Sequence, residues 1–348
     1  MTVLVTGGAG YIGSHAVQRL LVDGTRVVCL DNLFRGHRRA MELLDARHPG
    51  LLTFVEGDIN DRALVAELLT RHRVEAVMHF AALAYVGESV DDPLRYYHNN
   101  VSGLISVLSA CDDAAKAGAG VRKFVFSSSC ATYGQPPQDM IPVPEHCPQN
   151  PVSPYGRSKL HDEHVLLDYA EACRRAGRAF GVAMLRYFNV CGCDRTGLLG
   201  EDHTPETHLI PVVLEAALGK RTEVGIFGTD YPTPDGTCIR DYVHVEDLID
   251  AHVLAMRRVR DGEVLAYNVG IGKGYSVREI IDAVKAVTGR DFRVVERPRR
   301  AGDPPAVFNN PGRIRAELGW SAKVTDLREI IGTAWRWMQA NPRGYAGR

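Results

Sequence analysis

Net charge is almost missing from this chain: 41 lysines and arginines stand against 42 aspartates and glutamates, leaving a formal −1 at pH 7. A surface built to grip nucleic acid or an anionic membrane needs a positive excess, so neither is expected as a partner. No run is long and apolar enough to cross a bilayer. The first residues lack the basic stretch of a secretory signal, and glycines break their apolar run early. Eight cysteines are present, at 29, 111, 130, 147, 173, 191, 193 and 238, but none forms a C-x-x-C pair. Reduced, buried thiols in a cytoplasmic protein are therefore expected, not a disulfide framework. Cys191 and Cys193 lack further ligands at matching spacing, so no metal site is expected. The 348 residues, 45% of them hydrophobic, are enough for one large soluble domain or two ordinary ones.

What is present begins at the first residue. Thr2-Val3-Leu4-Val5 reads as a short buried strand running into Gly7, Gly10 and Gly13 and then a helix. The first glycine permits a tight turn, the second lets backbone approach a pyrophosphate, and the third lets helix and strand pack closely. The helix N-terminus then faces the phosphates with free N–H groups. Glycines spaced this way matter because they sit between a strand and a helix.

A second strand, Thr25 to Leu30, ends at Asp31. An acidic residue there accepts hydrogen bonds from the adenosine ribose and repels a 2′-phosphate, so NAD is expected over NADP. Arg35, Arg38 and Arg39 are the nearby cations able to offset that repulsion. A third strand, Leu51 to Glu56, leads to Asp58, placed to meet the adenine amino group. Ala63 to His72 is an amphipathic helix. A fourth strand, Ala76 to Ala82, ends in small residues where a cofactor passes, and its His79 reads as a packed residue. Pro93 to Lys116 reads as one long helix. Lys123 to Ser129 is a fifth strand with a hydroxyl-rich end, and Phe180 to Tyr187 a sixth.

Nearly continuous apolar strands alternating with helices mean a parallel sheet covered on both faces. The expected fold class is α/β, a Rossmann-type doubly wound sheet, with ligands at the carboxyl ends of its strands. Residues 135 to 154 are a proline-rich loop. Beyond Phe188 loops lengthen, with helices at 208–218, 246–259, 276–288 and 326–340 and short strands near 224–227, 265–269 and 292–295. The expected division is a dinucleotide domain over 1–187 and a smaller mixed α/β lobe over 188–348, with some of 238–265 returning to the first domain.

Tyr155 and Lys159 lie four apart on a helix and so share a face. A phenol ordinarily ionises near pH ~10. A nearby ammonium and a cationic nicotinamide both lower that value, producing a base suited to neutral pH. Ser129 is placed to hydrogen-bond the same substrate oxygen. These three are the expected catalytic residues.

The chain resembles the UDP-glucose 4-epimerases of the extended short-chain dehydrogenase/reductase superfamily. The likeness runs through 6–15, Asp31-Asn32-Leu33, 55–59, 86–90, 96–101, 153–159, 185–189 and, most specifically, 229–242. It implies a retained NAD held by Gly7, Gly10, Tyr11, Ile12, Gly13, Asp31, Asn32, Asp58, Ile59, Phe80, Ala81, Ala82, Asn99, Ser127, Tyr155, Lys159 and Tyr187. It implies that Asn189, Arg240, Arg300 and Asp303 hold the nucleotide of a UDP-sugar, with Tyr187, Phe188, Leu209, Phe227 and Tyr242 as walls and Thr207 and His208 near the phosphates. Tyr155 would take the 4-OH proton, and a flat 4-keto sugar would turn over before reduction. A homodimer formed by helices 93–116 and 155–175 is also implied.

Three positions depart from the bacterial galactose-epimerase pattern. Ala84 replaces a cofactor-contacting lysine, Thr207-His208 an Asn-Asn pair, and Val307 a bulky tyrosine at the sugar end. A larger sugar pocket follows, admitting UDP-N-acetylhexosamines or UDP-pentoses such as arabinose and xylose. A sugar-nucleotide dehydratase needs a carboxylate pair after the fifth strand, where this chain has Cys130-Ala131-Thr132-Tyr133.

Overall fold

The computed structural model describes residues 1–300 and 302–347. The chain divides into two compact units. The first comprises Met1–Gly134, Gln149–Arg186 and Ile249–Tyr267. Its sheet has seven strands, among them β1 (Thr2–Thr6), β2 (Arg26–Asp31), β3 (Leu52–Glu56), β4 (Ala76–His79), β5 (Lys123–Ser129) and β6 (Gly181–Tyr187). With Val264–Val269 at the far edge, the order is Val264–Val269, β6, β5, β4, β1, β2, β3. The pairs β1–β2, β1–β4, β2–β3 and β4–β5 are parallel. Strand order reverses between β1 and β4, and such a reversal opens a crevice at the carboxyl ends of the strands.

These strands form because their residues bury both faces. Leu4, Val28, Val77, Phe124 and Phe126 are each at most 1% exposed. They share a core with Val65 and Leu69 of the Arg62–Arg71 helix and Leu104 and Val107 of the Gly103–Lys116 helix. Two sequence expectations need correction here. The fourth strand stops at His79 instead of Ala82, because the chain leaves the ladder to edge the crevice. The single helix expected over 93–116 runs as Pro93–Tyr96, a π-helical turn at Tyr97–Ser102, then Gly103–Lys116. The wide turn carries Asn100, whose amide is pinned between Leu83 and Ser158.

The second unit comprises Gln135–Pro148, Tyr187–Leu248 and Asn268–Arg348. Its main sheet centres on Ile239–His244, which pairs with Gly274–Ser276, Ala306–Val307 and Asn189–Cys191. A separate parallel pair joins Val224–Phe227 to Val294–Arg297. The helix Val277–Thr288 starts with a capping box between Ser276 and Glu279 and ends on left-handed Gly289, so both termini are satisfied locally. The loop at 135–148 is tied into this unit by Val143, which exchanges backbone hydrogen bonds with Phe308 and Asn310. Among the described residues no helix is long and apolar enough to cross a membrane.

Candidate active site

In the first unit, the glycine turn joins β1 to the helix Tyr11–Val22. Gly7 has φ +70°, and a Cβ there would lie 2.5 Å from the Ala81 backbone nitrogen. A Cβ on Gly13 would lie 2.1 Å from the Gly7 carbonyl oxygen. Only glycine permits this approach of helix to loop.

Beside this turn lies a cleft with an empty volume of about 570 Å³, lined by Gly7, Gly10, Asp31, Asn32, Ile59, Phe80, Ala81, Ala82 and Asn99 among others. Nine of the expected cofactor contacts therefore share one cavity. Asp58 sits alongside them, accepting from Asn32 at 2.8 Å and from the Asn60 backbone at 2.8 Å. Burial opposes its ionisation, but these bonds outweigh burial and hold its carboxyl below the ordinary value.

Asp31 is buried at the edge of the same cleft. Its oxygens accept the N–H groups of Ala9 at 3.0 Å and Leu33 at 2.8 Å. Burial raises its pKa, opposed by these backbone bonds and that of Gly10. Each carboxylate oxygen keeps a lone pair for a ribose hydroxyl. The three neighbouring arginines are engaged: Arg35 with Glu88 at 2.9 Å, Arg38 with Glu56, and Arg39 with Glu42 at 2.9 Å. The carboxylate and the engaged cations both fit NAD in preference to a 2′-phosphorylated cofactor.

The catalytic candidates lie at the end of β5 and on the long helix Pro154–Arg175. Ser153 caps that helix through the Gly156 N–H, so the helix starts one turn before Lys159. The Lys159 ammonium is buried, donates to the Ser127 carbonyl at 2.8 Å, and stands 4.6 Å above the Phe126 ring. Burial drives its pKa down, while Asp162 and Glu163 pull it back up. The Tyr155 ring packs apart from the main core, with Leu83 and Tyr96, and meets Tyr96 edge-on at 6.5 Å. Tyr96 is itself fixed by bonds to Glu88 and the Tyr85 backbone. Ser129 is buried and accepts the Ala131 N–H at 3.1 Å. His79 is a packed residue: it bonds Thr6 at 2.8 Å, and burial with nearby Lys159 pulls its pKa down to about 3. It stays neutral and takes no proton at physiological pH.

Two supporting groups escaped the sequence reading. Asn100 is one. The other is the buried pair Glu163–Arg186, with N···O 2.7 Å, where Glu163 also accepts from Ser128 at 2.5 Å and Arg186 donates to Tyr133 at 2.9 Å. The signal for Glu163 was its spacing: four beyond Lys159 and eight beyond Tyr155, on the same helical face.

In the second unit, Asn189 stands in register with Tyr242, and Arg240 with Val307. Arg240 approaches Asp303 at 3.5 Å. The Arg300 guanidinium lies 3.8 Å above the Phe227 ring. Phe188 and Tyr242 are buried, and Asn189 is exposed. Thr207 and His208 both donate backbone N–H groups to Glu206 at 2.7 Å, and Leu209 opens the helix Leu209–Ala217. Tyr187 closes β6 and falls in this unit. Of this segment the sequence reading named Thr207 and His208 but passed over Glu201, His203 and Glu206. The spacing E-x-H-x-x-E-x-H was the available signal.

Comparison with known proteins gives concordant results. The model of the NAD dependent epimerase/dehydratase family matches residues 3–270. UDP-arabinose 4-epimerase 1 of Arabidopsis thaliana is 46% identical, over 99% of this chain and 80% of its own length. UDP-glucose 4-epimerase of Lactobacillus helveticus is 45% identical, over 99% of both. The crystal structure of UDP-glucose-4-epimerase from Stenotrophomonas maltophila, with bound NAD and formylated UDP-arabinopyranose, superposes with TM-score 0.91 at 42% identity, covering 99% of each chain.

Proposed function

The chain belongs to the NAD dependent epimerase/dehydratase family, and from that premise we propose that it inverts C4 of a UDP-sugar, with UDP-glucose and UDP-galactose as the principal pair. The observation that carries this reading is the buried Lys159 ammonium, anchored on Ser127 one helical turn from Tyr155. NAD, held at the glycine turn and Asp31, would supply a two-electron hydride acceptor for the C4 hydrogen and, once reduced, the hydride donor for its return. Tyr155 accepts the 4-OH proton through its phenolate oxygen as the C4 carbonyl forms, and gives it back when the carbonyl is reduced. Lys159 places its positive charge one helical turn from that phenol. Ser129 donates a hydrogen bond to the C4 oxygen and steadies it through both half-reactions.

Stereochemical inversion requires the keto sugar to turn over, so the nucleotide must be gripped and the sugar held loosely. Arg240 and Arg300 are assigned to the diphosphate, where guanidinium forks match phosphate oxygens. Asn189 and Asp303 take polar groups of the nucleotide, while Phe188, Phe227 and Tyr242 offer apolar surface. Thr207, His208 and Leu209 complete this set. Elimination of water is disfavoured, because no carboxylate follows β5 in the run Cys130 to Tyr133.

Buried Val307 favours a second substrate class. A small side chain at the sugar end admits UDP-pentoses or N-acetylated sugars, in keeping with the arabinose-directed relative. A panel of UDP-hexoses, UDP-N-acetylhexosamines and UDP-pentoses, assayed without added cofactor, tests both readings. Turnover of UDP-galactose is expected. Its absence with every UDP-sugar, in NAD-loaded protein, rejects the proposal, and turnover of UDP-galactose alone rejects the enlarged pocket.

We further propose a homodimer working in the cytoplasm. Leu94 is 80% exposed, Ile105 47% and Leu167 42%. These large apolar side chains lie on the segments Pro93–Tyr96, Gly103–Lys116 and Pro154–Arg175. Light scattering at micromolar concentration should return twice the chain mass, and a monomer would reject the assembly.

A further inference from the structure

Within the second unit, four side chains of the segment Glu201–His208 converge on one point. The donor atoms of Glu201, His203, Glu206 and His208 all lie within 4.8 Å of one another. His203 Nδ1 stands 3.4 Å from a carboxylate oxygen of Glu201 and 3.4 Å from one of Glu206. His208 Nδ1 stands 3.1 Å from Glu201 and 2.9 Å from Glu206. A ring N–H committed to one acceptor lies close to that acceptor and away from others. Here each ring nitrogen is shared between two carboxylates. Two imidazoles and two carboxylates therefore face one another in one small cluster.

The spacing also suits an ion. A tetrahedral zinc centre with bonds of about 2.0–2.1 Å sets its donors roughly 3.3 Å apart. The separations of 3.1 and 3.4 Å between Glu201 and the two imidazoles lie close to that figure, and every spacing in the group stays within 4.8 Å. Two imidazoles and two carboxylates form a borderline-soft N₂O₂ set appropriate to Zn²⁺ or Co²⁺. The two carboxylates are nearly buried, with side chains 6% and 5% exposed. Among the described residues no lysine or arginine stands against either carboxylate, and the two imidazoles are the groups that face them.

Outer groups already fix the ligands, as metal sites require. The Thr207 and His208 N–H groups hold Glu206 at 2.7 Å. Arg221 donates to the Glu206 carbonyl at 3.0 Å. Asp202, between two ligands, accepts the Tyr345 N–H at 2.8 Å, and the Tyr345 hydroxyl accepts the Gly200 N–H at 3.0 Å. His208 is 44% exposed and leaves an entry path from solvent.

We propose that Glu201, His203, Glu206 and His208 form a four-coordinate site for a divalent transition-metal ion of the zinc class, which cross-links the loop that leads into the Leu209–Ala217 helix. Binding displaces the Nδ1 protons to solvent as the ion takes their place. His208 also stands in the nucleotide-binding set assigned above, so the test reads metal binding directly and its outcome is separate from turnover.

The test uses full-length protein, free of any polyhistidine tag, stripped with a chelator and titrated with Co²⁺ under reducing conditions. One equivalent per chain is expected, with the intense visible d–d bands of a four-coordinate ion, displaced by Zn²⁺. H203Q should weaken binding at least tenfold, and E201Q should do the same while keeping a hydrogen-bonding amide. Circular dichroism checks that each variant folds, and should H203Q fail to fold, E201Q decides. Absence of saturable binding, the pale spectrum of a six-coordinate ion, or sulfur-to-cobalt charge-transfer bands would each overturn the site. So would unchanged affinity in both variants.

Discussion

The Lys159 ammonium donates to the carbonyl oxygen of Ser127 at 2.8 Å, tying the middle of a helical face to the end of β5. This bond fixes a positive charge one turn along from Tyr155, the residue proposed above to exchange protons with substrate. Tyr155→Phe removes that exchange while keeping the ring packed on Tyr96 and Leu83. It should retain bound NAD and UDP-sugar affinity but lose at least about a thousandfold in kcat, within the range that general acid–base catalysis contributes. Single-turnover assays on NAD-loaded protein check this, and near wild-type turnover would take Tyr155 out of its role.

The buried Glu163–Arg186 pair sits behind this machinery, and its side chains are only 2% and 8% exposed. Removing one partner strands the other charge in the interior, which typically destabilises by about 3–5 kcal/mol. R186M and E163Q should each lower the urea midpoint markedly. Their effects should not add, since the double variant leaves no orphan charge. Additive losses in denaturant melts would show that the two side chains act independently.

Glycine at position 13 is required by distance, because a Cβ would lie 2.1 Å from the Gly7 carbonyl oxygen. Gly13→Ala must push the helix N-terminus away from the Gly7 turn, which is proposed to hold the cofactor's phosphates. The purified variant should carry far less NAD, with affinity reduced at least tenfold, while far-UV circular dichroism stays near wild type. The bound fraction is read from the nicotinamide released on denaturation, and full occupancy would contradict the packing argument.

Much of the first unit was legible because its chemistry is local. The glycine turn, the apolar run 123–129 and the four-residue spacing of Tyr155 and Lys159 each carry their meaning within a few residues. What escaped reading depends on distant partners or on small changes of period. The π-helical turn at Tyr97–Ser102 adds one residue to a helix without altering its composition, so only the position of Asn100 reveals it. Residues 135–148 read as a loop, and their attachment to Phe308 and Asn310 has no local signature. Ile239–His244 escaped notice as a strand because Arg240 and Asp241 interrupt its apolar pattern. Asp241 is nevertheless fully buried there, since three backbone N–H groups converge on it.

Asp241 also gives the second unit a defined acid response. Its oxygens accept the N–H groups of Ile271 and Gly272 at 2.9 Å and of Asn309 at 3.2 Å. Burial nevertheless raises its pKa from 3.8 to about 6. The folded form therefore binds a proton more tightly than the unfolded chain. This group's stabilising contribution is complete below the unfolded value of 3.8 and is lost as pH rises through about 6. At about 1.4 kcal/mol per unit, the loss is on the order of 3 kcal/mol. Asp241→Asn cannot titrate. Its absolute stability should be lower, because an amide nitrogen faces backbone donors, but its deficit relative to wild type should narrow as pH climbs from 4 to 6. Chemical denaturation of both proteins across that window measures the change; a constant deficit would mean Asp241 ionises in the fold as in the unfolded chain, and a widening one that the fold lowers its pKa, and either would overturn the assignment.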